Sequence, residues 1–332
     1  MRGMKVFVSS RSFGAQCEEA IDIIKQVADV ERSTFGRPLN EADLVKVLPS
    51  YEGIIVGVDE ITEKVIGACD RLKVVARHGA GADNIDLDAC TRKGVIVTYV
   101  PGVNAESVAD LTFCLMLALA RKLVPAHAST RAGKWESKKF VGTELYKKTL
   151  GIIGVGAVGK KVAKRANGFD MKILCYTAHP EKHRKEAEEH NIKFVDLDTL
   201  LNESDIVSIH CALTPETEGM IGERELKLMK KSAFLINTSR GPILDEKAVY
   251  KALKEEWIAG AGFDVYAQEP PGAENPLLEL DNVVVAPHIA SYTKESLIRV
   301  DLTQARDVVK ALKGEKPDLV ANPEVLEKLG IK

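Results

Sequence analysis

The feature that most constrains the fold of this chain is a glycine-rich turn between an apolar run and a helical segment. Leu150 to Val155 is an apolar run of strand length, and Lys160 to Ala166 is predicted to be helical. A strand that turns on glycines into a helix lets the backbone approach a pyrophosphate, which binds to the N–H groups at the start of the helix. The stretch therefore predicts a dinucleotide-binding fold. The residues of the turn expected to contact the cofactor are Gly154, Gly156, Ala157, Val158 and Gly159.

Composition excludes several classes of protein. The chain has 332 residues, which is enough for two domains. Its net charge of −2 is the small difference between 46 basic and 48 acidic side chains, so composition gives no attraction to nucleic acid or a membrane surface. The longest apolar run, Leu111 to Ala120, is about half the length of a membrane span. Six cysteines without a C-x-x-C pair are typical of reduced thiols, so we expect a cytoplasmic protein without a metal site.

Strands and helices alternate along most of the chain, which predicts parallel sheets covered by helices on both faces. The pattern changes at Pro101, after which a long, largely apolar helix is predicted from Ala105 to Arg121. Six strand candidates between Leu150 and Ala286 are enough for a complete dinucleotide-binding sheet. The helix predicted over Ser296 to Leu312 must then return to the first domain.

The predicted fold is therefore α/β, with two doubly wound parallel-sheet domains. A central Rossmann dinucleotide-binding domain, residues 102–290, is inserted into a smaller flavodoxin-like substrate domain made of residues 1–101 and 291–332. In open parallel sheets, ligands bind outside the carboxyl ends of the strands. Functional side chains are thus expected where predicted strands end.

Three polar side chains stand just beyond predicted strands of the central domain, and they suit the oxidation of a 2-hydroxy acid if they converge. Imidazole has the pKa nearest neutrality, so His288 would take the hydroxyl proton during oxidation and return it during reduction. A carboxylate on the other ring nitrogen, from Glu269, would favour imidazolium and fix the ring. The guanidinium of Arg240 would match substrate carboxylate and carbonyl oxygens. The plainer interpretations are a surface turn, a solvated loop and a strand-end histidine bonded to backbone.

Over most of its length the chain resembles the D-2-hydroxyacid dehydrogenase family, with the motifs in the family's order. The motifs are RHGAGADNID (77–86), PGVNAESVAD (101–110), GTELYKKTLGIIGVGAVG (142–159), HCALTPET (210–217), NTSRGPILDE (237–246), GFDVYAQEP (262–270) and NVVVAPHIAS (282–291). The resemblance implies NAD(P)-dependent hydride transfer between nicotinamide and a D-2-hydroxy or 2-oxo acid, with Arg240, Glu269 and His288 as the catalytic residues. A non-catalytic, dinucleotide-sensing dimer of the corepressor type is the alternative.

The resemblance also implies how ligands and a partner bind. Backbone N–H groups of His78, Gly79 and Ala80, together with Arg240, would hold the substrate carboxylate. A homodimer would form through the nucleotide domains, with residues 126–142 crossing to the partner. A solvated basic loop is the plainer interpretation of that segment. The remaining residues expected to contact the cofactor are Val108, Thr177, Ala178, His179, His210, Cys211, Ala212, Pro215, Thr217, Thr238, Ser239 and Asp264, the last beside the nicotinamide amide.

One departure from the family pattern concerns the cofactor. The residue after the second strand of the central domain should be acidic if it binds a ribose 2′-hydroxyl. Thr177, Ala178 and His179 stand there instead, and basic residues follow. A short hydroxyl with basic neighbours favours NADP(H), with NAD(H) left open.

A second departure concerns the substrate. Many phosphoglycerate dehydrogenases of the family carry an arginine near the end of the strand that here reads IIVG (54–57). A smaller substrate, glyoxylate or hydroxypyruvate, is therefore credible beside 3-phosphoglycerate. A phosphate contact could still come from Lys134, Lys138 or Lys139.

Overall fold

A computed structural model describes residues 3–331 of the chain. The chain divides into two compact units. One contains the residues up to Asn104 together with those from Tyr292, and the other is Ala105–Ser291. The predicted boundaries, after residues 101 and 290, lie close to these divisions.

The first unit contains a five-stranded parallel sheet. Its strands are β1 (Met4–Val8), β2 (Ala28–Arg32), β3 (Gly53–Val56), β4 (Val74–Arg77) and β5 (Ile96–Thr98). Its helices are α1 (Glu18–Lys25), α2 (Glu41–Val47), α3 (Glu63–Gly67), α4 (Leu87–Lys93) and, from the C-terminal part, α12 (Lys294–Lys313) and α13 (Glu324–Leu329). The strand order β2-β1-β3-β4-β5 is that of flavodoxin-like folds. The order reverses between β1 and β3, so ligands are expected at the loops that follow these strands.

The C-terminal part of the chain completes the core of this unit. Thr293 caps α12 by accepting a hydrogen bond from the Ser296 N–H, as hydroxyl side chains do at helix starts. The helix then buries Ala305, Val308 and Leu312 against one face of the sheet. Helix α12 therefore lies in the same compact unit as the N-terminal part of the chain.

The second unit contains a seven-stranded parallel sheet. Its strands are β6 (Thr149–Ile153), β7 (Lys172–Tyr176), β8 (Ile192–Phe194), β9 (Ile206–Ile209), β10 (Phe234–Asn237), β11 (Gly260–Phe263) and β12 (Val283–Val285). Its helices are α5 (Ala105–Ala120), α6 (Leu123–Arg131), α7 (Ala157–Asn167), α8 (Arg184–His190), α9 (Leu197–Glu203), α10 (Glu223–Leu228) and α11 (Glu246–Lys254).

The order β8-β7-β6-β9-β10-β11-β12 is the Rossmann order with one further strand, so the predicted fold class is confirmed. The sequence predicted six strands here, and the additional one is the three-residue β8. The apolar helix α5 packs on α7, β10 and β11, which explains why most of its side chains are buried. No helix among residues 3–331 is both long and apolar enough to cross a membrane.

One segment differs from its prediction in local structure. The plainer interpretation of residues 126–142 was a solvated basic loop, whereas α6 begins at Leu123 and extends to Arg131, and a 3-10 turn follows at Ser137–Phe140. Helix α6 buries none of its side chains within the chain. Helix α6 has no buried stripe of apolar residues, which is the periodic signal that predicts a helix packed on a core.

Candidate active site

The glycine turn between β6 and α7 has the geometry that a pyrophosphate requires. Gly154 has a φ of +91°, and a Cβ there would lie 2.7 Å from the Cys211 nitrogen. A Cβ on Gly159 would overlap the carbonyl oxygen of Gly154, whereas the space beside Gly156 is open. Gly156 is the N-cap of α7 and provides no side-chain cap, so the N–H groups of the first helical turn face no competing carboxylate or hydroxyl from this position. The turn therefore fits the phosphates of a dinucleotide.

The loops after β7, β9 and β10 gather beside this turn. The N–H of Gly154 donates to the Tyr176 carbonyl at 2.9 Å, which places Thr177 and the two residues after it next to the turn. Thr217 closes the loop after β9 by donating to the Ala212 carbonyl at 2.7 Å. The Ser239 hydroxyl donates to the Cys211 carbonyl and so joins the loops after β9 and β10. The cofactor-contact residues predicted on these loops thus lie at one edge of the sheet.

Two of the predicted cofactor residues, Val108 and Thr238, make contacts within the protein. Val108 is buried in α5, and its carbonyl accepts the Thr112 hydroxyl at 2.7 Å. That hydroxyl is 3.0 Å from the hydroxyl of Thr238. Thr238 therefore follows β10 but is turned toward α5, and its cofactor contact stays a prediction.

The glycine turn packs against the backbone of His210 and Cys211. Nε2 of His210 lies 2.8 Å from the Ser208 hydroxyl, and Nδ1 of the same ring is buried without a partner among the described residues. Burial lowers the pKa of this imidazole to about 3. The ring is therefore neutral at physiological pH and adds no positive charge beside the pyrophosphate position.

The turn after β10 is shaped by the buried side-chain amide of Asn237, to which the sequence analysis assigned no role. Asn237 donates from its side chain to the Arg240 carbonyl at 2.9 Å and accepts the Ser239 N–H at 3.0 Å. A Cβ on Gly241 would overlap the carbonyl group of Tyr266. The turn that holds Arg240 therefore packs directly on the loop after β11, and only glycine permits this approach.

Asp264, directly after β11, holds the backbone around His288. Its two carboxylate oxygens each accept one N–H at 2.8 Å, from Ile289 and from Ala290, and its carbonyl accepts the His288 N–H at 2.9 Å. Burial raises the pKa of this carboxyl group, although the two N–H donors counteract the effect. The family resemblance implies that Asp264 lies beside the nicotinamide amide, and this contact stays a prediction. The structure shows a carboxylate whose two oxygens already bind the histidine turn.

Glu269 and His288 form a hydrogen-bonded pair. Nδ1 of His288 lies 2.5 Å from Oε2 of Glu269, while Oε1 of the same carboxylate accepts the Tyr266 N–H at 3.1 Å. A carboxylate can only accept, so Nδ1 donates, and Nε2 is the nitrogen left to exchange a proton with a ligand. The His288 side chain is 42% exposed, which gives a ligand access to it.

Two opposing effects set the charge of Glu269. Burial alone would raise the pKa of this carboxyl group, but hydrogen bonds from His288 and from the Tyr266 backbone lower it. The positive charge of Arg240 lowers the same pKa further. Because the net pKa lies below the ordinary glutamate value, the side chain is an anion at neutral pH.

In the first unit, the turn after β4 is the predicted carboxylate site. The N–H of His78 donates to the Val56 carbonyl at 2.8 Å, and the N–H of Gly79 donates to the Arg77 carbonyl at 2.8 Å. Two of the three predicted donors are therefore already used, His78 by strand β3 and Gly79 within the turn. Among residues 3–331, no backbone carbonyl accepts the N–H of Ala80 or of the next residue, Gly81. These two adjacent groups are the donors left for an anion.

Two further residues shape the site without a signal in the sequence. Glu246, at the start of α11, accepts the Ala267 N–H at 2.5 Å and so steadies the loop that carries Glu269. The Tyr266 hydroxyl donates to the Ala286 carbonyl at 3.0 Å, beside His288. Burial raises the pKa of this phenol to about 12, so it stays a donor. Both were inconspicuous because their partners are backbone atoms of other segments.

A glycine turn built for a dinucleotide, at the same sheet as a histidine–carboxylate pair and an arginine, defines a dinucleotide-dependent oxidoreductase. Residues 113–290 match the family model described as D-isomer specific 2-hydroxyacid dehydrogenase, NAD binding domain. The chain belongs to the D-2-hydroxyacid dehydrogenase family. The predicted family and enzyme class, acting on CH–OH donors, are thereby confirmed, and the corepressor alternative is not favoured.

Several similar proteins support this family assignment. A D-3-phosphoglycerate dehydrogenase of Archaeoglobus fulgidus is 44% identical over 90% of this chain, which spans 56% of that protein's length. A glyoxylate reductase of Thermofilum pendens is 42% identical over 93% of both chains. The crystal structure of a D-lactate dehydrogenase from Aquifex aeolicus, complexed with NAD and lactic acid, is 31% identical with a TM-score of 0.83 and covers 98% of each chain. These names leave the substrate and the choice between NAD and NADP open.

Proposed function

We propose that the protein reduces a small 2-oxo acid, either glyoxylate to the achiral 2-hydroxy acid glycolate or hydroxypyruvate to its D-2-hydroxy acid. The observation that carries the proposal is the 2.5 Å hydrogen bond between Nδ1 of His288 and Glu269, beside the Arg240 turn. The carboxylate fixes the ring and stabilises imidazolium. A histidine held in this way can act as a general acid through Nε2.

The residues of the chain have distinct roles in this reaction. Nicotinamide, when bound, supplies the hydride to C2 of the oxo acid. His288 donates a proton from Nε2 to the carbonyl oxygen, so that one hydride and one proton yield the hydroxy acid. Arg240 binds the carboxylate and carbonyl oxygens through its planar fork and stabilises negative charge as it develops on oxygen. The N–H groups of Ala80 and Gly81 bind the substrate carboxylate.

The proposed substrate class is tested with a panel of glyoxylate, hydroxypyruvate and 3-phosphohydroxypyruvate, each assayed with NADH and NADPH. We expect one of the two smaller acids to turn over with a kcat on the order of 1 s⁻¹ or more. Turnover of the phosphorylated acid alone would establish a phosphoglycerate dehydrogenase instead. Absence of turnover with every acid would contradict the enzymatic assignment of the site.

The proposal includes NADP(H) as the preferred cofactor. Thr177, Ala178 and His179 follow β7 beside the glycine turn, and none of them is acidic. The imidazole of His179 lies 3.3 Å from Glu181, and Lys160 forms a 2.6 Å ion pair with Glu186, so acidic residues offset part of the nearby positive charge. The support for NADP(H) is therefore the absence of an acid that would repel a 2′-phosphate.

The cofactor preference is expected to reverse when an acid is introduced at the end of β7. Thr177→Asp should lower kcat/KM for NADPH by about tenfold or more, since the carboxylate repels the 2′-phosphate and instead binds a ribose 2′-hydroxyl. Thr177→Asn is the matched control, because it has nearly the same shape without the charge. A wild-type kcat/KM ratio that favours NADH tenfold would contradict the proposal.

Removing the charge of Glu269 is expected to shift the pH dependence of kcat for both reduction and oxidation. His288 lowers the pKa of Glu269 through a hydrogen bond and its positive charge; because this attraction is mutual, Glu269→Gln removes a charge that favours the protonated ring. The upper limb of the profile for reduction should therefore move down by about one pH unit or more, and oxidation should extend to lower pH. The exposed residue Glu255 provides the control, Glu255→Gln. Superimposable pH profiles of kcat for wild type and Glu269→Gln would contradict the proposed role of the Glu269–His288 pair.

We further propose a homodimer that is built on the second unit. Large apolar side chains are exposed in one stretch around α6, and Trp135 is 88% exposed. A monomer rarely leaves such a group of apolar side chains in water. The exposed apolar residues of this stretch are Leu123, Val124, Trp135, Val141 and Tyr146.

The dimer should dissociate when a charge is placed in this stretch. Trp135→Glu is expected to weaken association by about 2 kcal/mol or more, because tryptophan is enriched among the few interface residues whose loss costs that much. Sedimentation velocity at several concentrations measures the effect. Phe35→Glu changes an exposed aromatic residue of the first unit and should leave the dimer intact. A wild-type protein that sediments as a monomer would contradict the proposal.

A cytoplasmic location is also proposed. The six cysteines, Cys17, Cys69, Cys90, Cys114, Cys175 and Cys211, are free in the structure. Burial raises the pKa of the Cys90 and Cys175 thiols to about 12, so these two stay as thiols and resist oxidation. Reduced cysteines are typical of the cytosol.

A further inference from the structure

The His78 side chain is directed into the first unit, where it pairs with the C-terminal helix. Its Nε2 lies 2.7 Å from Oδ1 of Asp301 on α12, and the two side chains are 3% and 0% exposed. The ring of Phe13 meets the imidazole edge-on at 5.5 Å. The sequence assigned only the backbone of His78 to the site, so the function described above leaves this side chain unexplained.

The other polar atoms of this pair bind the loop that follows β1. Nδ1 of His78 lies 3.2 Å from the Ser10 hydroxyl and 3.1 Å from the Ser12 hydroxyl. The second oxygen of Asp301 accepts the Gly14 N–H at 3.0 Å. Because the carboxylate can only accept, Nε2 donates to it, and Nδ1 of the neutral ring can accept from a serine. One imidazole thus ties together the turn after β4, the loop after β1 and helix α12.

The opposite side of the same turn is held by Arg77. Its Nη1 donates to the His78 carbonyl at 2.7 Å, and its guanidinium fills the space that a Cβ on Gly79 would need. The turn is therefore fixed on both sides. Ala80 and Gly81 follow directly in the chain, and no backbone carbonyl among residues 3–331 accepts their N–H groups.

We propose that His78 and Asp301 act together as positioning residues that fix the Ala80 and Gly81 N–H groups for the substrate carboxylate. The inference rests on the proposed function, since it assumes a carboxylate ligand at this turn. A buried pair of this kind adds little net stability compared with well-packed apolar residues. We therefore expect the His78–Asp301 pair to act on the geometry of the turn. A displacement of about 1 Å in a binding group can lower the rate a hundredfold.

The test separates binding of the oxo acid from catalysis and from folding. His78→Ala and Asp301→Asn should each raise KM for the oxo acid by about tenfold or more, with kcat and the Kd of the coenzyme changed less than about threefold. His78→Gln should restore part of the affinity, since its amide nitrogen can reach the position of Nε2. The double variant His78→Ala/Asp301→Asn should show no larger increase than the stronger single variant, because the two residues act through one contact.

The matched control lies on the same helix. Asp307 is also buried on α12 and accepts two backbone N–H groups, from Asp318 at 2.7 Å and from Leu319 at 3.2 Å. Asp307→Asn should lower Tm and leave KM for the oxo acid unchanged. If Asp301→Asn lowers Tm to the same extent with an unchanged KM, the pair is only structural and the inference is overturned. If the KM increases of the two single variants multiply in the double variant, the two residues act independently, and this would also overturn the inference.

A binding measurement distinguishes failure of this inference from failure of the proposed function. Oxamate, which presents a carboxylate beside a carbonyl, is titrated by calorimetry into wild type and each variant with the coenzyme present. Weaker oxamate binding in His78→Ala and Asp301→Asn, but not in Asp307→Asn, supports the inference even if no 2-oxo acid in the panel turns over. Equal affinity in all four proteins overturns it, whether or not the wild type is an active reductase.

Discussion

Replacing His288 by asparagine is expected to lower kcat for 2-oxo acid reduction by about 10²- to 10⁴-fold, the range that general acid–base catalysis contributes. The reason is the position of the ring. Its Nδ1 is bound to Glu269 at 2.5 Å, so Nε2 is the only nitrogen that can deliver the proton to substrate. Asparagine has no group that titrates near neutral pH, and the loss should therefore appear at every pH.

Asparagine is the appropriate substitution because of the backbone at this position. His288 has a φ of +52°, in the left-handed region where asparagine is tolerated better than alanine. The three backbone contacts with Asp264 should then survive in His288→Asn. His288→Ala would mix the chemical loss with strain in the turn.

Three measurements show whether the loss is chemical. The Kd for the coenzyme and Tm should stay near the wild-type values in His288→Asn, while kcat falls. His190→Asn, at the end of α8, replaces a histidine outside the site and should retain wild-type rates. A kcat within about tenfold of wild type in His288→Asn would show that another group supplies the proton.

The sequence predicted well those features that depend on a short motif or on where a strand ends. The glycine turn follows from backbone demands at Gly154 and Gly159, and the residues that impose them lie within the motif or directly after β9. The placement of Arg240, Glu269 and His288 follows from the rule that parallel strands end at one edge of the sheet. The hydrogen bond between Glu269 and His288 is consistent with that rule, since the two residues follow neighbouring strands.

The elements that sequence could not predict depend on contacts between distant segments. His78 and Asp301 are 223 positions apart, so no window of sequence contains both partners. The orientation of the Asp264 carboxylate is set by two N–H groups that follow β12, about 25 positions away in the chain. Helix α6 was not predicted because none of its side chains is buried within the chain, so its sequence lacks the apolar stripe of a core helix.

Replacing Arg240 by alanine is expected to lower kcat/KM for the oxo acid by about 10²- to 10³-fold, the typical cost of removing one donor to a developing oxyanion. Both parameters should be affected. KM rises because the guanidinium binds substrate oxygens in the ground state, and kcat falls because it stabilises charge on the carbonyl oxygen. Coenzyme affinity should change little.

Arg240→Lys separates charge from geometry. The lysine retains the positive charge but lacks the planar fork that contacts two oxygens at once, so it should recover only part of the lost kcat/KM. Since the Arg240 charge also lowers the pKa of Glu269, the lysine variant should keep the wild-type pH profile, whereas the profile of Arg240→Ala should differ. Arg224→Ala, which removes an exposed arginine paired with Asp198, is the control and should retain wild-type kinetics. If lysine restores the full rate, a positive charge at this turn is sufficient and bidentate binding is not used; if alanine retains it, Arg240 does not contact the substrate.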